Sequence, residues 1–211
     1  MQGMLVTVEG VEGSGKSTQC KRLTDALRSR GLDVVLTREP DGTPMGAALR
    51  RLFEADGPPP AALAQVFLFM AARQQHVHTV IRPALSRGAV VLSDRYADAT
   101  MAYQGYGLGV NLETIRDFNA LATGGLAPDL TLLLDLDPAV GMARIRDRRL
   151  DAFEKMDLTF HRRVRDGYLE IARTEKRVVV LDAAQPPDAL FASIEAVVSD
   201  RLVNREGLRA R

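Results

Sequence analysis

Five short runs rich in Val and Leu punctuate the chain, and their spacing constrains its fold more than any other feature. They cover residues 4–9, 33–37, 89–93, 130–135 and 177–182. Several are apolar almost throughout, not alternating, as expected of strands buried on both faces of a parallel sheet. The stretches between them are long enough for helices, with Gly31, Gly88 and the Pro128–Asp129 pair as stop or turn signals. Strand, helix, strand repeated four or five times predicts an α/β domain, a doubly wound parallel sheet of about five strands flanked by helices. The longest helical stretch, 61–86, puts Leu63, Val66, Phe67, Met70, Val77, Ile81 and Leu85 on one stripe that should face the sheet. The three prolines before it read as a stiff loop, not a linker, so residues 1–211 are expected to form one domain.

Composition excludes several classes of function. Lys and Arg number 28 against 27 Asp and Glu, a balance that speaks against a polyanion-coating protein or a nucleic-acid partner. The single cysteine, Cys20, excludes an intramolecular disulfide and suits a reducing compartment. No charged leader and no run of 18 apolar residues stands out, so a cytoplasmic protein with no membrane partner is expected.

Directly after the first run, Gly10, Gly15, Lys16 and Ser17 match G-x-x-x-x-G-K-[ST], and a helical pattern follows. Glycines let successive backbone N–H groups turn inward around a phosphate, and the helix start adds its positive end. Lys16 is long enough to reach the β and γ phosphates, and the Ser17 hydroxyl can ligate Mg²⁺. This predicts a P-loop NTPase fold with ATP bound by Gly10, Val11, Glu12, Gly13, Ser14, Gly15, Lys16, Ser17 and Thr18. A P-loop alone does not separate kinases from other NTPases, but neither N-K-x-D nor D-E-x-x after a strand is present.

Four further segments read as an acceptor site. Arg38, in TREP, and Asp94 with Arg95, in DRY, each follow a strand, at the carboxyl edge where open α/β sheets bind ligands. The two arginines suit bidentate phosphate contacts, and Asp94 could orient Mg²⁺. Phe69 and Arg73 lie one helical turn apart, able to stack a planar base and donate to its edge. Tyr96, Tyr103 and Tyr106 crowd a Gly-rich stretch that reads as a recognition loop, with Tyr103 and Gln104 best placed. Arg144, Arg146, Arg148 and Arg149 fall in GMARIRDRRLDAFE, either a solvated helix face or a mobile lid over residues 141–156.

Taken together, VEGVEGSGKSTQ, TREPDGTPMG, FLFMAARQQHV, DRYADATMAYQGYG, PDLTLLLDLDP and the Arg-rich segment resemble bacterial thymidylate kinases. The resemblance runs in order through about three-quarters of the chain. It implies ATP-dependent phosphorylation of dTMP to dTDP with Mg²⁺, in a homodimer. It makes Arg95 the grip on the acceptor phosphate, Phe69 the ring beneath thymine, Arg73 a donor to the base and Tyr103 the guard against a ribose 2′-hydroxyl. Glu12 falls where the family places an acid near the sugar 3′-hydroxyl. Because position 12 is not arginine, the lid should supply the catalytic arginine, with Arg146 and Arg148 the candidates beside Lys16 and Arg95. Asp41, Ala72, Ala99 and Ala152 depart from the family pattern; at the third, Thr100 could supply the missing polar contact. The competing readings are a nucleoside monophosphate kinase with another base preference and a catalytically silent ATP-binding regulator.

Overall fold

The computed structural model describes residues 3–55, 58–147 and 150–207. The five apolar runs form parallel strands β1 (Met4–Glu9), β2 (Val34–Arg38), β3 (Val90–Asp94), β4 (Leu130–Asp135) and β5 (Val178–Asp182), ordered β2-β3-β1-β4-β5. Between and after them run α1 (Lys16–Ser29), α2 (Pro44–Glu54), α3 (Ala62–His76), α4 (Arg82–Ser86), α5 (Ala97–Thr100), α6 (Leu112–Thr123), α7 (Pro138–Ile145), α8 (Leu158–Thr174) and α9 (Pro187–Gly207). Central β1 is buried along its whole length and feeds both faces. Met4, Val6 and Val8 join a core with Leu23, Phe160, Val164 and Ile194 from α1, α8 and α9. Leu5 points the other way, toward Val77, Ile81 and Ala84. Among the described residues no helix is long and apolar enough to cross a membrane.

The long helical stretch needs a correction. It is helical from Ala62 to Ser86, but passes through a π-helical segment, Val77–Ile81, where the Arg82 N–H reaches back to Val77 O. Pro83, which has no N–H to give, follows. The wider turn shifts the phase of the helix, so the expected stripe splits. Val77 and Ile81 face the sheet, whereas Val66 and Met70 pack on Met101 and on Ile115 of α6. Leu63 and Phe67 lie outside both cores, 46% and 54% exposed.

The tyrosine-rich stretch is also not a loop. It is helical through α5 and a π-helical segment, Met101–Gly107. Its glycines serve close packing, since a Cβ on Gly107 would lie 2.6 Å from the Phe160 ring. Tyr96 is buried in the core and Tyr106 lies under Gly167, leaving Tyr103 to face the crevice.

What the sheet positions is its carboxyl edge. Arg38 pairs in register with Asp94, and Val8 pairs with the same residue on the other side. The Glu39 N–H donates to Asp94 O at 3.0 Å, and the Arg95 N–H to Val8 O at 3.0 Å. The segments leaving β1, β2 and β3 are thereby held side by side.

Candidate active site

Residues 10–15 join β1 to α1 and, with Lys16 and Ser17 of its first turn, form a phosphate loop. Gly13 takes φ of +69°, and a Cβ there would fall 2.2 Å from Gly141 O on α7, so no larger residue fits. Gly15 caps α1 in the left-handed conformation. The loop is braced from within: Ser14 Oγ donates to Val11 O at 2.8 Å, and Lys16 Nζ to Gly10 O and Val11 O at 3.0 and 2.7 Å. Burial pushes the Lys16 ammonium down to about 8, with Arg95 adding to that shift. Ser17 Oγ donates to Asp94 Oδ2 at 2.6 Å. Gly13, Gly15, Lys16, Ser17 and Asp94, with Thr18, Arg38 and Arg95, line a cleft of about 340 Å³, whereas Gly10, Val11 and Ser14 lie behind it.

Arg95 links this cleft to a second cavity. Its backbone sits at φ +72°, a strained conformation for a residue with a side chain. The guanidinium donates to Gly10 O at 3.3 Å, Tyr168 Oη at 3.2 Å, Tyr103 Oη at 3.0 Å and Glu12 Oε1 at 3.2 Å. Tyr103 Oη donates to the same Glu12 oxygen. Burial pushes the Glu12 carboxyl up, but the His161 ring, the Arg95 and Lys16 charges and the Tyr103 hydroxyl outweigh it and hold it down at about 2. Glu12 is therefore a carboxylate at neutral pH. Behind it, Tyr168 Oη donates to Glu9 Oε2 at 2.8 Å, and burial pushes the Glu9 carboxyl up to about 8.

The second cavity, about 110 Å³, is walled by Phe53, Phe69, Phe153, Ala99 and Tyr103, with Arg73, Thr100 and Gln104 among its polar lining. Phe53 stacks on Phe69 with centroids 5.3 Å apart, and Phe153 meets both Phe53 and Tyr103. Arg73 is 2% exposed. It pairs with Glu39 at 2.8 Å and donates to Asn119 Oδ1 at 2.6 Å, Tyr96 O at 3.0 Å and Thr100 Oγ1 at 3.1 Å. Its N–H groups are thus turned mainly to protein partners. Gln104 Nε2 donates to Gln65 Oε1 at 3.0 Å.

The crevice therefore gathers Lys16, Ser17, Arg38 and Asp94 on one side, and Phe69, Arg73, Thr100, Tyr103 and Gln104 on the other, with Glu12 and Arg95 lining both. The arginine-rich segment is less unified. Arg144 donates to Gly13 O at 3.1 Å and Ala183 O at 3.3 Å, bracing α7 against the phosphate loop. Arg146 is 76% exposed, beside Asp147, and lines neither cavity. Arg148 and Arg149 lie outside the described residues. Sequence reasoning missed Glu39, Phe53, Phe153, His161 and Tyr168. Glu39 sits inside the TREP segment already singled out, whereas Tyr168 has no local signal, since α8 brings it to Glu9 from 159 positions away.

Comparison with known proteins identifies this arrangement. The family model for thymidylate kinase matches residues 8–194. The chain belongs to the thymidylate kinase family. It is 50% identical to the thymidylate kinase of Deinococcus radiodurans, over 95% of this chain and 98% of the relative. It is 47% identical to that of Desulfovibrio desulfuricans, over 96% and 98%. The crystal structure of thymidylate kinase from Ehrlichia chaffeensis superposes with a TM-score of 0.76 at 32% identity, over 94% of this chain and 99% of that one. That fold, a five-stranded parallel sheet flanked by helices, is the one expected from the apolar runs.

Proposed function

We propose that the protein phosphorylates dTMP to dTDP, as its family does, with ATP as donor and Mg²⁺ as cofactor. The observation that carries the assignment of sites is the Arg95 guanidinium. It stands where the phosphate-loop cleft meets the aromatic cavity, so two phosphates held there would face each other. The loop backbone and Lys16 hold the donor phosphates. Arg95 grips the acceptor phosphate, with Arg38 lining the donor-side cleft. Phe69 lies beneath the base, Glu12 and Tyr103 border the sugar, and Arg73, Thr100 and Gln104 close the base end.

A phosphate monoester with a second pKa of about 6 is mostly dianionic at neutral pH, so its oxygen attacks the γ phosphorus without a general base. ADP leaves, and no covalent enzyme intermediate is needed. Catalysis is then positioning and charge neutralisation by Lys16, Arg95 and an arginine of the 141–156 lid, Arg146 or Arg148. The fit to Mg²⁺ is favourable, because a hydroxyl and a carboxylate already meet at the cleft in the Ser17–Asp94 pair. When bound, the ion neutralises charge on the nucleotide phosphates.

Leu63 and Phe67 on α3 and Leu121 on α6, which is 81% exposed, form an apolar face joined by the Phe67–Phe118 ring contact. A second copy of this chain covers it, giving a homodimer. We read the protein as a cytoplasmic enzyme with no membrane partner, and its near-neutral charge speaks against a nucleic-acid partner. A coupled ADP-release assay with Mg²⁺-ATP and thymidine, deoxyuridine, deoxyguanosine and uridine monophosphates tests the reading. Selective turnover of the thymidine compound is expected, with some deoxyuridine activity, because one methyl is worth only about 1–3 kcal/mol. Turnover of a different acceptor would overturn the base-site assignment.

A further inference from the structure

His161 lies in the first turn of α8 and is 1% exposed. Asp157 caps that turn by accepting the Phe160 N–H at 2.7 Å, and the fully buried Phe160 ring locks its packing. Among the described residues neither ring nitrogen of His161 makes a hydrogen bond of good geometry. The same is true of Glu12 Oε2, and the two orphans face each other: His161 Nδ1 lies 3.3 Å from that oxygen, close but out of line. Buried polar atoms are rarely left unpaired, because each such group carries its full desolvation cost. A phenylalanine or leucine would fill the same core position without that cost. The placement of a histidine against the one unsatisfied oxygen of a buried carboxylate therefore demands a reason outside packing.

We propose that His161 is a positioning residue for Glu12, donating from Nδ1 to Oε2 after a small turn of the ring. Tyr103 and Arg95 both act on Oε1 and so leave the carboxylate free to rotate about the bond that carries it. A donor on Oε2 fixes its plane and keeps it turned toward the acceptor sugar instead of swinging to the Lys16 ammonium. The proposal rests on the reading that Glu12 accepts from the acceptor's 3′-hydroxyl, and it acts on acceptor binding and specificity more than on turnover.

The test uses the position of the donor atom. In His161→Asn the amide nitrogen stands near where Nδ1 was, in His161→Gln it stands near Nε2, and His161→Phe keeps volume alone. Steady-state kinetics with saturating Mg²⁺-ATP would compare dTMP with its 3′-deoxy analogue, and Glu12→Gln would run alongside. For His161→Phe the dTMP KM should rise about tenfold, and the preference for dTMP over the 3′-deoxy analogue should fall by a similar factor, as for one lost charge-assisted hydrogen bond. Turnover and the ATP KM should change little. His161→Asn should recover most of the preference and His161→Gln should not. If His161→Phe does not fold, the Asn and Gln pair decides. Equal behaviour of Asn and Gln, or an unchanged preference in all three, would overturn the proposal while leaving Glu12 in its role. A wild-type enzyme indifferent to the 3′-hydroxyl would overturn the Glu12 assignment and the proposal with it.

Discussion

The donor and acceptor halves of the crevice are built in opposite ways. The phosphate loop is one run of eight residues whose internal bonds span at most six positions. The acceptor half is assembled from β2, α2, α3, α5, α6 and α8, and many of its bonds join residues 23 to 91 positions apart. Function is separable from folding in the first half, because the backbone does the shaping. In the second half the groups that face the acceptor also hold elements together, so losing one should cost both activity and stability.

The strongest way to break that comparison is to truncate one cation on each side. Lys16→Ala should lower turnover by a factor on the order of 10³ with little change in melting temperature, since the two carbonyl bonds lost are offset by relief of an ammonium that burial already disfavours. Arg95→Ala should lose as much activity and also melt earlier, because it leaves the Glu12 carboxylate without its guanidinium. Coupled assays and thermal melts on both variants check this; near-normal turnover in either would remove that residue from the mechanism.

Arg73→Met should destabilise by roughly 3–5 kcal/mol in urea titrations, as expected when one partner of a buried ion pair is lost. Adding Glu39→Gln should restore much of the loss, and simple additivity of the two would show that the pair is not coupled. A smaller, acceptor-specific effect is expected of Tyr103→Phe, with the dTMP KM raised about tenfold and the ATP KM unchanged. Tyr103→Ala should also relax rejection of a ribose acceptor, and unchanged sugar selectivity would refute its role as the guard.

A last expectation concerns pH. Glu9, at the end of β1 behind both halves, has a folded pKa of about 8 against an ordinary 4.5. Its contribution to stability is therefore present below pH 4.5 and is lost as pH rises through about 8. Glu9→Gln should flatten the decline of melting temperature across that window, and an unchanged slope would place its origin elsewhere.

Much of this was legible in the residues. The runs 4–9 and 130–135 are β1 and β4 to the residue, because strands buried on both faces are apolar almost throughout. The phosphate loop was legible because its shape depends on glycines at local positions. The burial of Arg73 was not, since a lone arginine one turn from a phenylalanine reads the same whether Glu39 and Asn119 approach it or water does. Nor was the exposure of Leu63 and Phe67, because a single π turn between Val77 and Ile81 rotates everything before it away from the sheet.

The sequence by itself determined the strands, their parallel pairing and the phosphate loop, all of which follow from short-range patterns of hydrophobicity and backbone freedom. Only the tertiary structure decided which polar groups share a buried site. It seats Arg95 among Glu12, Tyr103 and Tyr168 and sets His161 against Glu12. The physical reason is that a buried charge is tolerable only with its partners in place, and those partners are chosen by the packing of helices far apart in the chain.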